Sequence, residues 1–463
     1  MQTTLAATAP PENLLLICAD TVRYDVFEAL NQRGDTFSRF QNKGLTYKNA
    51  QSAAPWTLPS VATVLTGEYP NQHGAGLFSG EFANLDDTLP TPLNPGSETL
   101  AQTLLNQDFK TQLITAHPFF VAGFGIDAGF KQIDQRRGWE KLVQVLSKAL
   151  DKFAHKSNTV GTNPQAAPET AGNAELPQKK VNKKRFFAYL HTMEPHEWHT
   201  KDKQTRAEFQ HKAPSWLRDF AVSIAPAATC KDETMCDKWI TYVAAVYETR
   251  LALTEVFNQL ESRSLLDETL IVFYSDHGEE FYDHKEYAQE LAEDPRGFYG
   301  KGHGQSLFQE LIHVPLWVMS PNINSGSVSE IVSLKSVKPA IEYWLGLSGN
   351  TQSPLPQADT DKGAKHGIAI STAIAYGSHQ TSARLGDEKG IYFEEGERLE
   401  GYNLSEDPFE DSPSKEQQYI FAIEPTIIDY LESQPQAEKG EVSVSNESLE
   451  KLKAIGYLQG KEN

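Results

Sequence analysis

Short runs of apolar residues recur along the chain up to residue 319, and polar residues follow directly where several of them end. Each run has the length of a buried strand, and helical stretches alternate with the runs. Strands that alternate with helices predict a parallel or mixed sheet with helices on both faces. The predicted strands cover residues 13–19, 111–115, 186–190, 269–275 and 314–319.

The pattern changes twice along the chain. Residues 1–345 carry the strand and helix alternation and are predicted to form a large α/β domain, whereas residues 346–463 turn to short strands and a last helix. This second part predicts a small α+β domain with an antiparallel sheet. Residues 156–184 interrupt the large domain with few apolar residues, so we expect a mobile surface insertion that proteases cut first, without loss of activity.

One strand end carries an Asp-His pair. Asp276 and His277 follow the apolar run at 270–273, and Gly278 lets the backbone turn behind them. Ligands of α/β sheets bind at the carboxyl ends of strands, and a carboxylate with an imidazole can bind a divalent metal. A solvated aspartate beside a packed histidine is the alternative for this pair taken alone.

Other strands end in similar residues. Asp20 ends the first strand, His191 and His196 follow the third, and His303 lies between two glycines ahead of the last. Polar groups at so many strand ends are hard to explain as packing. They predict a site for a metal and an anion at one edge of the sheet.

Thr57 lies just before a predicted helix. Pro59 fits the first turn of that helix, which runs through residues 60–65 and stops near Gly67. Free backbone N–H groups and the helix dipole favour an anion at such an end. The alternative is that Thr57 only caps the helix.

Taken in order, these motifs resemble those of the sulfatase family within the alkaline phosphatase superfamily, along nearly the whole chain. The matching segments are Asp-Thr-x-Arg-x-Asp at 20–25, Leu65-Thr66-Gly67, His73-Gly74, His-x-Met-Glu-Pro-His at 191–196, Ser-Asp-His-Gly-Glu at 275–279, Glu310-x-x-His313-Val314-Pro315, the late segment at 401–411 and a final helix at 448–458. The resemblance implies an alkaline-phosphatase-like fold, with a large sheet between helices and a smaller carboxyl-terminal domain.

The resemblance also implies a role for each matched residue. The metal ligands are Asp20, Asp276 and His277 together with Thr57, the nucleophile, while the residues that contact the anionic oxygens of the substrate are His196 and His303. Two substrate-binding matches are looser, namely His191 and Lys301, and Lys301 is out of register with Phe308. His73 is expected to be structural. The ligand set favours one zinc or manganese ion, with calcium as the alternative.

The nucleophile segment departs from the family pattern. Sulfatases carry Cys-x-Pro-Ser-Arg or Ser-x-Pro-Ser-Arg, whose first residue an activating enzyme oxidises to formylglycine, whereas this chain has Thr57-Leu58-Pro59-Ser60-Val61. No formylglycine is therefore expected. A sulfate ester of threonine would be a stable dead end unless water attacked the sulfur, whereas a phosphothreonine can be cleaved at phosphorus.

We therefore expect a hydrolase that uses Thr57 to cleave phosphodiester or phosphonate monoester bonds. Three alternatives remain: a sulfatase that acts on sulfate esters, a transferase of the phosphoethanolamine or phosphoglycerol type, and a pseudoenzyme that only binds its ligand.

Composition limits the partners. The net charge of −20 argues against a nucleic-acid partner and suits a small anionic ester only if histidines and metal make the pocket locally positive. No apolar run reaches the roughly 18 residues of a membrane helix. The oligomeric state stays open.

The cellular compartment is also open at this stage. The start of the chain lacks a signal-peptide pattern, so we expect either a cytoplasmic protein or a trimmed one, with the periplasm or secretion slightly favoured. Cys18 is expected to be a buried thiol. Cys230 and Cys236 either form a disulfide, which would favour an oxidising compartment, or are two free thiols.

Overall fold

The computed structural model describes residues 9–80, 82–154, 184–199, 203–291, 294–357, 367–414 and 417–433, together with residues 447, 450 and 452. The predicted insertion at 156–184 lies outside the described residues except for Lys184. The predicted final helix at 448–458 lies almost entirely outside them as well.

The strands are, in chain order, β1 (Asn13–Ala19), β2 (Leu45–Gln51), β3 (Phe82–Asn84), β4 (Phe109–Thr115), β5 (Gln132–Gln135), β6 (Arg185–Thr192), β7 (Thr269–Tyr274), β8 (Glu280–Phe281), β9 (Lys301–Gly302), β10 (Leu316–Met319), β11 (Gly326–Ser333), β12 (Ile368–Ser371), β13 (Tyr376–Ser378), β14 (Gln380–Leu385), β15 (Glu388–Phe393) and β16 (Arg398–Asn403).

The α-helices are α1 (Tyr24–Arg33), α2 (Ser38–Gln41), α3 (Thr57–Thr66), α4 (Pro70–His73), α5 (Leu100–Asn106), α6 (Trp139–Leu150), α7 (Lys203–Lys212), α8 (Leu217–Ser223), α9 (Glu233–Glu261), α10 (Lys285–Leu291), α11 (Gln309–Ile312), α12 (Val337–Trp344) and α13 (Gln417–Glu432). Short 3₁₀ helices cover Pro118–Val121, Pro195–His199, Thr229–Lys231, Leu266–Glu268 and Leu334–Ser336.

The large sheet has eight strands in the order β11-β2-β10-β7-β1-β6-β4-β5. Its centre is parallel, because β1 pairs in parallel with both β6 and β7, while β10 runs antiparallel to β7 and β2. All five predicted strands are present, and the mixed α/β fold class is confirmed. The central strands carry apolar residues continuously because both of their faces are buried.

The two faces of the sheet have separate cores. Leu14, Leu16 and Cys18 of β1 belong to the core on the side of α3, α5 and α12, whereas Leu15 and Ile17 belong to the core on the side of α1, α6 and α9. This alternation follows from the period of two along a strand. Helix α3, which carries Thr57, therefore packs on the same face as Cys18.

The small sheet has four antiparallel strands in the order β12-β14-β15-β16. Helix α13 covers it, where Ile423 and Ile427 pack on Ile370 and Ala383. Strand β13 instead pairs with β3, which ties the later part of the chain to the earlier part. The elements of the two main sheets fall on either side of residue 345, and the division into 1–345 and 346–463 stays a prediction.

Cys230 and Cys236 form a disulfide at the start of α9, with their Cα atoms 4.4 Å apart. Of the two alternatives left open by the sequence, the structure has the bonded one. Cys18 is a buried free thiol. Among the described helices, none combines the length and apolar content that a membrane span requires.

Candidate active site

The turn after β1 is strained. Thr21 has φ of 60°, a region that a β-branched residue rarely adopts and that costs about 1–3 kcal/mol. The hydroxyl of Tyr242 donates to the carbonyl of Thr21 at 2.8 Å and so supports the turn. This conformation directs the N–H of Thr21 at Oδ1 of Asp276, 3.3 Å away, and holds Asp20 beside that carboxylate.

The turn after β7 is fixed from two sides. Ser60 of α3 donates its hydroxyl to the carbonyl of Asp276 at 2.6 Å, so the first turn of α3 is attached to the end of β7. On the other side, Gly278 approaches the carbonyl of Glu310 so closely that a Cβ atom there would lie 1.9 Å from the carbonyl oxygen. A glycine is therefore required directly after His277.

Helix α3 begins one step earlier than the sequence suggests. Thr57 is its first helical residue, and Trp56 occupies the N-cap position without a side-chain cap. The prediction that Thr57 lies just before the helix is therefore wrong by one position. The residue before the helix is Trp56, which has the extended conformation of an N-cap. The hydroxyl of Thr57 lies 3.3 Å from Nε2 of His277, and Thr57 is fully buried.

Oxygen atoms of three side chains lie around Nε2 of His277. Nε2 of His277 lies 3.4 Å from Oδ1 of Asp20, 3.6 Å from Oδ2 of Asp276 and 3.3 Å from Oγ1 of Thr57. Ligands placed tetrahedrally around zinc at about 2.0–2.1 Å are roughly 3.3–3.4 Å apart. The structure thus brings together the four residues that the sequence analysis assigned to one metal ion.

The unsatisfied oxygens of this group also fit an ion. Both carboxylate oxygens of Asp20 and Oδ2 of Asp276 are buried and accept no hydrogen bond from any described residue. Burial, and then the charge of Asp276, raise the pKa of Asp20 well above its usual range. Two buried carboxylates side by side are costly unless a cation or a proton compensates them.

His303 is oriented by a carboxylate. Glu279 is buried and accepts hydrogen bonds from Nε1 of Trp198 and Nδ1 of His303, both at 3.1 Å. The neutral His303 ring then carries its proton on Nδ1, and Nε2 is its acceptor atom. Burial lowers the pKa of His303 to about 4 although Glu279 opposes this, so the ring is neutral at pH 7.

His303 also neighbours two of the other predicted site histidines. Its ring centroid lies 4.5 Å from that of His277 and 5.1 Å from that of His196, which is almost fully buried in the 3₁₀ helix after β6. Lys301 is different: its ammonium packs over the ring of Phe298, 4.5 Å from the centroid. The described contacts of Lys301 therefore include none with the four proposed metal ligands.

Two histidines lie on the far side of Asp20. Nε2 of His191 is 3.7 Å and Nε2 of His117 is 3.9 Å from Oδ2 of Asp20, and the two rings stack with centroids 5.5 Å apart. Burial lowers the pKa of His191 to about 4. His73, by contrast, bonds to Thr63 at 3.0 Å, in agreement with the structural role expected for it.

Two residues that neighbour this site were not predicted from the sequence. His117 follows the strand at 111–115, so the strand-end signal that singled out Asp20 was available for it too. Glu279 lies inside the Asp-His-Gly-Glu motif, but its partners Trp198 and His303 are distant in sequence and only the fold reveals them.

The sequence model of the sulfatase family matches residues 12–347. The chain belongs to the sulfatase family. The match confirms the resemblance inferred from the order of the motifs, and it includes every residue assigned to the site. What it leaves open is the ester class, because the segment around Thr57 departs from the family pattern.

Curated relatives match parts of this sulfatase-family chain. Human arylsulfatase K is 34% identical over 117 residues, which are 25% of this chain and 18% of that protein. The Haloferax volcanii protein named low-salt glycan biosynthesis sulfotransferase Agl7 is 23% identical over 68% of this chain and 56% of its own length. The chain thus spans only a fraction of the relatives it matches.

Solved structures share the fold. A 2-O GAG sulfatase, BT1596, is similar with a TM-score of 0.61 at 15% identity, covering 96% of each chain. The phosphonate monoester hydrolase of Agrobacterium radiobacter is similar with a TM-score of 0.58 at 17% identity, covering 91% of this chain and 95% of that one. One fold therefore occurs in proteins named for sulfate and for phosphonate esters.

Proposed function

We propose that this chain is a metal-dependent ester hydrolase with Thr57 as nucleophile and phosphodiesters or phosphonate monoesters as preferred substrates. The observation that carries the proposal is the Thr57 hydroxyl, 3.3 Å from Nε2 of His277 in the first turn of α3. That end of a helix attracts an anion. Threonine cannot form the aldehyde of formylglycine, because its Cβ carries a methyl group.

Asp20, Asp276, His277 and Thr57 would hold the ion. Two carboxylates, an imidazole and a hydroxyl suit zinc or manganese better than calcium, which takes more oxygen ligands. When bound, such an ion supplies positive charge that lowers the pKa of a neighbouring hydroxyl and attracts an anionic ester.

The first step joins Thr57 to phosphorus. Oγ1 of Thr57 forms a bond to phosphorus while the bond from phosphorus to the leaving oxygen breaks. Glu279 keeps the proton of His303 on Nδ1, so Nε2 accepts the hydroxyl proton and passes it to the leaving oxygen. In this scheme His196 hydrogen bonds the anionic oxygens of the ester.

The second step releases Thr57. Water forms a bond to phosphorus, the bond between phosphorus and Oγ1 breaks, and a water proton moves through Nε2 of His303 to Thr57. At sulfur the first step would leave a sulfate ester on Thr57 that persists unless water attacks the sulfur, since no aldehyde forms to expel sulfate. This difference is the reason for the preference for phosphorus esters.

A panel of substrates tests the proposed ester class. The purified protein, loaded with zinc or with manganese, is offered aryl sulfates, phosphate monoesters, phosphodiesters and phosphonate monoesters that share one leaving group. We expect the highest kcat/KM for the phosphodiester or the phosphonate. A clear preference for the aryl sulfate would contradict the proposal and favour an ordinary sulfatase activity.

Transfer to an acceptor is the second candidate, because the haloarchaeal relative is named a sulfotransferase. In a transferase an alcohol replaces water in the second step. Product analysis with added alcohols or glycans separates the two, since a transferase accumulates the new ester and a hydrolase the free acid.

We also propose a periplasmic or secreted location. The Cys230–Cys236 disulfide supports it, because such bonds persist in oxidising compartments. Thiol counting on protein that is alkylated within the cells is the test: only Cys18 should be reduced. Three reduced cysteines in the native protein would contradict the proposal.

A further inference from the structure

The two carboxylate oxygens of Asp20 face different groups. Oδ1 lies 3.4 Å from Nε2 of His277, in the proposed metal group, whereas Oδ2 lies 3.7 Å from Nε2 of His191. A carboxylate arranged in this way can bridge two cations. The His191 side of Asp20 therefore needs an explanation of its own.

The strand register brings a second set of metal-binding atoms to that side. Cys18 of β1 pairs with His191 of β6 and lies two residues before Asp20. Cys18, His191 and Asp276 each offer one ligand atom, and these atoms lie within 4.8 Å of one another. All three residues are fully buried.

The ring of His191 lacks polar partners among the described residues. Both of its ring nitrogens are buried, and neither makes a hydrogen bond within the described part of the chain. Leaving a buried polar atom unsatisfied costs about 1–3 kcal/mol, so such atoms indicate an ion, a water or a ligand. The ring is also held in place, because it stacks on His117 and meets the edge of Phe120.

The neighbouring His117 cannot take the same role. Its Nδ1 accepts the backbone N–H of Phe119 at 3.2 Å, so the proton of the neutral ring is on Nε2. A protonated nitrogen has no lone pair for a metal. Of the two stacked imidazoles, His191 is therefore the one that can bind a cation, and His117 is a matched control.

We propose that Cys18, His191 and Asp276 bind a second divalent cation and that Asp20 bridges it to the first. A thiolate, an imidazole and carboxylates form a set suited to zinc. Tyr274 of β7 is the register partner of Cys18, and its hydroxyl lies 2.7 Å from that of Tyr189.

A second ion would change the charge of the site. One divalent ion would only neutralise the two negative charges of Asp20 and Asp276. Two divalent ions would exceed the charge of these carboxylates and one thiolate, so the pocket would be positive in a chain of net charge −20. A positive pocket suits an anionic ester, and paired ions can stabilise both the attacking and the leaving oxygen. The inference rests on the proposed function, because Asp20 and Asp276 would bind both ions.

Metal counting tests the inference. Wild type, His191→Phe, Cys18→Ser and the control His117→Phe are stripped with a chelator, reloaded with zinc, desalted and measured by elemental mass spectrometry. We expect two ions per chain in wild type and in His117→Phe, and one in His191→Phe and Cys18→Ser. The phenylalanine variants keep the ring packing, and circular dichroism checks the fold.

Cobalt titration of the wild-type apoprotein needs no variant. Binding should saturate at two equivalents, and one of them should produce the charge-transfer absorption of a cobalt–thiolate bond. One equivalent without that absorption, or unchanged zinc counts in His191→Phe and Cys18→Ser, would overturn the second site. The first site and the role of Thr57 would survive that result, because they are tested by turnover of Thr57 variants.

Discussion

The hydroxyl of Thr57 lies 3.3 Å from Nε2 of His277, although 220 residues separate them in the sequence. The contact joins the first turn of α3 to the end of β7, and Ser60 reinforces it through the carbonyl of Asp276. The proposed nucleophile and a proposed metal ligand are thus in contact.

Removal of metal should abolish activity. Both carboxylate oxygens of Asp20 and Oδ2 of Asp276 are buried and accept no hydrogen bond from a described residue. The site should therefore work only with a cation between the two carboxylates. We expect Asp20→Asn or Asp276→Asn, or chelation of wild type, to lower kcat/KM at least about 10²-fold. Zinc or manganese should restore the chelated wild type. Full turnover by protein that retains no measurable metal would disprove this requirement.

Glu279→Gln should slow the reaction without weakening substrate binding. The carboxylate fixes the proton of His303 on Nδ1, and an amide in its place can present an N–H that disturbs this tautomer. We expect kcat to fall about 10- to 100-fold with little change in KM. Trp198→Phe, which keeps Glu279 but removes one of its donors, should have a smaller effect.

The neighbouring residue supplies the control for Glu279. Glu280 bonds to Gln305 and to the backbone of His284 instead of a site histidine, so Glu280→Gln should leave kcat closer to wild type. Equal kcat values for Glu279→Gln and wild type would remove Glu279 from the positioning of His303.

Stability should fall in alkaline solution because His284, buried in a pair with Glu310, loses its proton. Burial alone would lower the pKa of His284, but the charge of Glu310 and a 2.9 Å hydrogen bond raise it to about 10. The unfolded residue titrates near about 6.5. The folded protein therefore keeps a proton that the unfolded chain has lost, so the stabilisation is complete below about pH 6.5 and disappears as the pH rises to about 10.

Glu280 should also lower the free energy of unfolding as the pH rises. Burial and then Glu310 raise its pKa to about 8, so its ionisation opposes folding as the pH rises above about 4.5. Denaturant titrations of wild type and His284→Gln across this range give the measurement. The pH-dependent loss of unfolding free energy should be smaller in His284→Gln, and a wild type that gains stability toward pH 10 would refute this account of the pair.

The central fold was predictable because its strands are buried on both faces. β1, β6 and β7 read as continuous apolar runs, and each is followed by an acid or a histidine. β5 could not be found in this way, since Gln132 and its neighbours lie on an edge strand that is partly exposed and polar. Short edge strands lack the apolar signal on which the prediction depends.

The grouping of Asp20 with Asp276 was predictable from strand ends, but its surroundings were not. Asp20 and Asp276 follow directly from that rule, whereas the partners of Glu279 and the tautomer of His117 depend on contacts with Trp198, His303 and Phe119. No local pattern encodes such contacts. The predicted start of α3 was one position too late. Its N-cap residue, Trp56, makes no side-chain cap, so the sequence carries no capping signature there.

The most direct test compares wild type, Thr57→Ala and Thr57→Ser on a phosphodiester and on an aryl sulfate with the same leaving group, with intact mass analysis of residue 57. We predict an unmodified threonine in the resting protein and a higher rate on the phosphodiester. Thr57→Ala should lower kcat at least about 10³-fold, and Thr57→Ser should retain partial activity, because the attacking oxygen is lost only in the alanine variant. Equal rates for wild type and Thr57→Ala on the phosphodiester would contradict the role of Thr57 as nucleophile.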